Sequence, residues 1–173
     1  MKETPLHEDI IAGLRHAYEM EIETVENYLA ASVNLDGLRA LSLRQILKDE
    51  VADELGHANK LASRIKALGG TVPGSMQMER SQRSLQPPSD STDLVSVIKG
   101  VIDAESAAID HYRRMIELTE GADPATQDLM IELLTDEEEH RREFAGFLKA
   151  LQHEISRDEV PDTELVMSET LAA

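Results

Sequence analysis

The chain has 173 residues, enough for one domain with a substantial core. It contains no cysteine, which excludes disulfides, thiolate metal sites and cysteine nucleophiles. Its formal net charge of -17, from 34 acidic and 17 basic residues, opposes contact with nucleic acid or anionic lipid and favours cations.

The opening segment "MKETPLHEDI" lacks the basic start and apolar run of a leader peptide, and no apolar run is long enough to span a membrane. A soluble cytoplasmic protein is the expectation. Aromatic residues make up only 3% of the chain, and apolar residues recur at helical rather than alternating spacing. The pattern therefore predicts an all-α domain.

The first predicted helix runs from about His7 to Val33, with an inward stripe of Ile10, Leu14, Ala17, Glu21, Val25 and Tyr28. "NLDG" ends it at Gly37. The second runs from about Leu38 to Leu68, with Leu43, Leu47, Glu50, Glu54, His57, Leu61 and Leu68 inward, and stops at Gly69 and Gly70. Residues 71–92, rich in Pro, Ser and Gln, form a long link in which Met76 and Met78 are expected to peg the bundle. The third helix runs from about Asp93 to Thr119, with Ile98, Val101, Glu105, Ala108, Tyr112 and Met115 inward. After "EGADPAT", Asp123 can cap the fourth helix and Pro124 suits its first position. That helix carries Met130, Leu133, Glu137, His140, Phe144, Phe147 and Leu151 inward and ends near Ile155. Residues 1–155 thus read as the bundle and 156–173 as a polar tail broken by Pro161.

Short loops force antiparallel neighbours, whereas a long link lets helices two and three run parallel. The expected fold is an antiparallel four-helix bundle with one long crossover between helices two and three.

Each stripe carries an acidic group where an apolar one belongs. These are Glu21 in helix one, Glu54 with His57 in helix two, Glu105 in helix three, and Glu137 with His140 in helix four. Buried carboxylates are costly unless paired or metal-bound, and one per helix in register calls for a shared partner. The halves also repeat. Glu21 precedes Tyr28 by seven residues and Glu105 precedes Tyr112 by seven, and each half then supplies Glu-x-x-His. Residues i and i+3 share a helix face, so the Glu and His of each motif can address one centre. Four carboxylates and two imidazoles suit two first-row ions, iron or manganese, and the absence of thiolates argues against structural zinc.

The motifs "EIETVENY", "DELGH", "ESAAIDHY" and "DEEEH" resemble those of bacterioferritins and rubrerythrins, within the ferritin-like superfamily. The resemblance spans roughly residues 8–155. It implies that Glu21, Glu54, His57, Glu105, Glu137 and His140 ligate two iron ions per chain, with Glu54 and Glu137 bridging them about 3.5–4 Å apart. It implies that Asp53 and Asp136 orient the ligand histidines. Tyr28 resembles the tyrosine that stands beside such centres and supplies an electron during oxygen reduction. Asp49 and Glu50, one turn before Glu54, read either as a solvated face or as a further iron site of the kind seen in bacterioferritins. Glu138 and Glu139 are expected to face solvent. His7, His16, His111 and His153 have no acidic partner at ligand spacing and are expected at the surface or rim.

Two departures narrow the resemblance. Leu55 stands where bacterioferritins carry the haem-binding methionine, so haem is not expected. The chain also lacks the cysteines of a rubredoxin-type iron site. The expected activity is ferroxidation: Fe(II) oxidised by O2 or H2O2 for iron storage or detoxification. The alternatives on the same ligands are a rubrerythrin-like peroxidase, a manganese catalase or another dimetal oxidase. A non-catalytic bundle that binds a partner is the reading from a different class. Bundles of this kind associate, so a homo-oligomer, at least a dimer, is expected.

Overall fold

The computed structural model describes residues 5–158. They form α1 (Pro5–Asn34), α2 (Ala40–Ala67), α3 (Leu94–Thr119) and α4 (Pro124–Asp158), with a single 3-10 turn, Ser75–Gln77, in the link. There is no strand among the described residues. Helix α4 runs a few residues beyond its expected end, and the rest of the expected tail lies outside the described residues. No helix among the described residues is long and apolar enough to cross a membrane.

Helix ends follow local chemistry. The Asp93 carboxylate caps α3 by accepting from the Ser96 N–H at 3.0 Å and the Ser96 hydroxyl at 2.6 Å. Asp123 does the same for α4, accepting from the Thr126 N–H at 3.1 Å, and also holds the Arg64 guanidinium at 2.6 Å. Gly69, at φ 84°, adopts the left-handed turn that ends α2.

Helices α1 and α2 pack as one hairpin and α3 and α4 as another, and α1 meets α3 more closely than α2 meets α4. The link fixes the crossover. It begins where Gly70 sits against Ile11, passes Glu23 at Ser81 and Gln82, and ends where the Asp36 N–H donates to the Ser91 carbonyl at 2.8 Å. It therefore runs alongside α1 in the same direction and returns the chain to the end of the bundle where α2 began. Helices α2 and α3 are consequently parallel, as expected.

Two features of the link correct the sequence reading. Met76 is 96% exposed and pegs nothing, and Met78 is only partly covered. The buried peg is Leu85, packed with Leu43, Val97 and Val101. Gly100 makes this possible: a Cβ there would stand 2.4 Å from the Ser84 carbonyl oxygen and 2.9 Å from the Leu85 Cα. The link backbone thus lies directly on α3. Glu23 and Asn27, on the α1 face toward the link, are buried by it. The Glu23 carboxylate accepts from the Ser81 and Gln82 N–H groups at 2.9 and 3.1 Å.

The apolar core is in two parts. One gathers Tyr28, Leu35, Leu43, Leu47, Val101 and Phe144; the other gathers Leu14, Leu61, Ile65, Tyr112, Met115, Met130 and Leu133. Each fully buried leucine contributes about 1.5–3 kcal/mol. Between the two parts lies the layer of acidic and histidine side chains.

Candidate metal centre

The six expected residues converge. Glu21, Glu54, Glu105 and Glu137 are each at most 2% exposed, and His57 is 4% exposed, while His140 is slightly more open. One ligand atom from each of Glu21, Glu54, His57 and Glu137 falls within a 4.8 Å group, and so does one from each of Glu54, Glu105, Glu137 and His140. The two quartets share Glu54 and Glu137. Each has three carboxylates and one imidazole, and each draws on three of the four helices.

Both imidazoles turn Nδ1 inward and Nε2 outward. His57 Nδ1 lies 3.0 Å from Glu137 and 3.6 Å from Glu54, and His140 Nδ1 lies 3.1 Å from Glu137 and 3.5 Å from Glu54. Outward, His57 Nε2 lies 3.4 Å from Asp136, across the gap between α2 and α4. His140 Nε2 lies 3.3 Å from Glu50. The acid facing His140 is thus Glu50, one turn before Glu54, while Asp53 is exposed. Glu50, Asp53 and His140 still form a loose outer group.

The tyrosines occupy matching places in the two halves. The Tyr28 hydroxyl donates to Glu105 and the Tyr112 hydroxyl to Glu21. Each holds the buried glutamate contributed by the first helix of the other hairpin. The seven-residue Glu-to-Tyr spacing in each half could have signalled this pairing, since it places each tyrosine two turns from its own helix's glutamate.

The charges are finely divided. Burial first, then the charges of Glu137 and Glu54, holds Glu21 well above the usual carboxylate range. Burial and the same two charges do this to Glu105. Burial would also raise Glu54, but the His140 and His57 imidazoles close beside it outweigh burial and bring Glu54 down to about 2. Glu137 is lowered as well, the two histidines overcoming burial and Glu54. For the histidines burial acts downward, and Glu137 and Glu54 overcome it, pushing His57 up to about 10 and His140 to about 12.

The residues fit a pair of cations. Glu54 Oε1, Glu137 Oε1 and His57 Nδ1 are buried and make no hydrogen bond, because their close approaches are out of line for one. All three belong to the quartets, where a cation can take a lone pair from each. Oxygen and imidazole donors without sulfur match iron or manganese. On the histidine side, Asp53, Gly56, His57, Lys60, Asp136 and His140 line a polar surface recess of about 330 Å³.

The other expected positions divide. Glu138 and Glu139 face solvent, pairing with Arg113 and Arg142. His16 and His153 are exposed, and His7 sits at the rim with Nε2 3.0 Å from the Leu68 carbonyl. His111 is a correction: it is 7% exposed, with Nε2 2.9 Å from the Gly13 carbonyl. A carbonyl from α1 satisfies it, a partner that acidic spacing along its own helix could not reveal.

The sequence profile of the Ferritin-like domain family matches residues 11–153. The chain belongs to the ferritin-like family. A Pyrococcus furiosus protein named DNA protection during starvation protein is 28% identical over 144 residues, 82% of this chain and 77% of that protein. The fold is shared with solved structures, among them the following two. The dodecameric thioferritin of Bacteroides fragilis, described as bacterioferritin-related, aligns with a TM-score of 0.79 at 21% identity, covering 89% of this chain and 92% of its own. The bacterioferritin of Desulfovibrio desulfuricans, described with a diiron site, aligns with a TM-score of 0.76 at 21% identity, covering 96% and 90%.

Proposed function

We propose that the protein is a ferroxidase that binds two Fe(II) ions per chain as substrate and oxidises them with O2 or H2O2, for iron storage or detoxification. The observation that carries this reading is the pair of quartets sharing Glu54 and Glu137. Two divalent ions bring four positive charges, which four carboxylates balance. Each Fe(II) gives one electron. Two Fe(II), one H2O2 and two protons yield two Fe(III) and two waters; with O2 as acceptor the two electrons and two protons yield H2O2.

In this reading Glu21, Glu54, His57, Glu105, Glu137 and His140 are the metal ligands. Glu54 and Glu137 lie between the ions, and Tyr28 and Tyr112 hold the terminal carboxylates. Asp136 and Glu50 orient the imidazoles by facing their outer nitrogens. Tyr28, beside Glu105, stands where it can give an electron to the reaction. The acidic surface and the polar recess favour cation entry.

We place the protein in the cytoplasm as a homo-oligomer, at least a dimer. Leu29, Val33 and Leu55, each more than half exposed on α1 and α2, support association. The net charge of -17 opposes nucleic acid, so the activity in the name of the Pyrococcus protein is not carried across. Manganese chemistry or peroxide reduction without iron storage is the second reading, because the same donor set suits manganese equally.

The test is anaerobic Fe(II) titration followed by stopped-flow absorbance on adding O2 or H2O2. Rapid oxidation saturating at two irons per chain, lost in Glu54→Ala, is the expected result, and uptake beyond two would extend it to storage. Fe(II) binding with no oxidation by either oxidant would overturn it.

A further inference from the structure

The matched tyrosines differ in what lies behind them. Behind Tyr28 is Phe144, at 6.3 Å between ring centroids, and then Phe147 at 5.6 Å. Phenylalanine has no readily oxidised group, so Tyr28 ends in apolar core. Behind Tyr112 is His111, at 6.2 Å, and then His16 at 4.9 Å in edge-to-face contact. Tyr112 is 1% exposed, His111 is 7% exposed, and His16 is open to solvent. A column of polar rings thus leads from Glu21 to the surface across α1 and α3. His111 is held in line by its Nε2 contact with the Gly13 carbonyl, 2.9 Å away.

We propose that Tyr112 is a second redox-active side chain of this protein, and that the His111–His16 column connects it to one-electron reductants at the surface. The inference rests on the ferroxidase reading above. H2O2 needs two electrons to become water. A centre holding a single Fe(II) has only one, and one-electron reduction would release hydroxyl radical. Tyr112 supplies the second: one H2O2, one Fe(II), two protons, the Tyr112 phenol and the Glu21 carboxylate give Fe(III), two waters, a neutral tyrosyl radical and a protonated Glu21. The phenol O–H breaks; its electron goes to peroxide and its proton to the Glu21 oxygen that already accepts its hydrogen bond. An outside reductant at His16 then returns an electron through two ring contacts, and the proton comes back from Glu21.

The experiment uses full-length protein carrying one Fe(II) per chain, mixed with H2O2 and freeze-quenched for electron paramagnetic resonance. Tyr28→Phe and Tyr112→Phe lose the same hydroxyl, so each controls for the lost hydrogen bond of the other, and circular dichroism checks the fold. In Tyr28→Phe we expect a tyrosyl signal that falls at least about tenfold in the double variant Tyr28→Phe/Tyr112→Phe, while a spin-trapped hydroxyl radical rises. Once peroxide is consumed, added tetramethyl-p-phenylenediamine should quench the signal at least about fivefold more slowly in His111→Leu than in its parent. A signal that survives in the double variant, or quenching that ignores His111→Leu, overturns the inference. Iron absorbance separates the two levels: no Fe(II) oxidation in the wild type overturns the ferroxidase reading and this inference with it, whereas oxidation without a Tyr112 radical overturns the inference alone.

Discussion

His57 of α2 and His140 of α4 stack across the centre, ring centroids 6.0 Å apart and planes 21° from parallel. Two imidazoles so close would repel each other as cations, yet Glu137 and Glu54 between them push His57 up to about 10 and His140 to about 12. At neutral pH both hold a proton on a ring that must be neutral to bind metal. Metal must therefore displace at least one proton from each ring. Affinity should rise with pH from 6 to 9, because both rings stay protonated across that range and each unit of pH lowers the proton concentration against which the metal competes, and it should fall as pH drops. Calorimetric titration with Mn(II) at pH 7, in two buffers of different ionisation heat, should show release of two or more protons per filled chain. Heats that do not depend on the buffer would contradict this proton inventory.

The shared position of Glu54 and Glu137 sets a stoichiometric prediction. Glu54→Gln removes a donor from both quartets, whereas Glu21→Gln removes one from a single quartet. Bound metal measured by elemental analysis after gel filtration should drop to near zero in the first variant and to one ion per chain in the second. Equal losses in both variants would mean that Glu54 is not shared.

The centre was legible in the sequence because its signals are local. Glu21, Glu54, Glu105 and Glu137 each interrupt the apolar stripe of their own helix, and the Glu-x-x-His step needs no knowledge of the neighbours. The link was not legible in the same way. Whether Met76 or Leu85 is buried depends on where the link crosses α3, and Gly100 decides that from outside the link. Glu23 looks like a solvated charge until Ser81 and Gln82 lie on it, and His111 looks like a surface residue until the Gly13 carbonyl on α1 meets it. Glu50 replaced Asp53 opposite His140 for a related reason: which of two acids reaches an imidazole depends on the offset between α2 and α4, not on the repeat.

The link yields a stability prediction. Gly100→Ala drives a methyl group into the Ser84 carbonyl and the Leu85 Cα, backbone atoms that cannot rotate away. It should cost about 1–3 kcal/mol or more. Leu85→Ala should cost about 2–5 kcal/mol by emptying its pocket. Urea melts of the metal-free protein measure both. Because the two changes release the same segment, the double variant should cost less than the sum of the singles. Additive losses would show that the link does not depend on Gly100 for its seat.

His111 gives a pH dependence separate from the centre. Burial first holds it down to about 4; the Gly13 carbonyl acts against this, and the His16 and Arg114 charges reinforce it. An unfolded histidine titrates near 6.5, so between about 6.5 and 4 the unfolded chain takes up a proton that the folded chain refuses. Stability must then fall as pH drops through that window, and the His111 contribution is absent above it. The loss at pH 4 is at most about 3 kcal/mol. His111→Gln has no group to titrate there, and its amide can still donate to the Gly13 carbonyl. Denaturant melts of metal-free wild type and variant, compared from pH 7 to pH 4, cancel the titration of the shared carboxylates. The wild type should lose ground to the variant steadily below pH 6.5. Parallel curves would place the His111 ring in water.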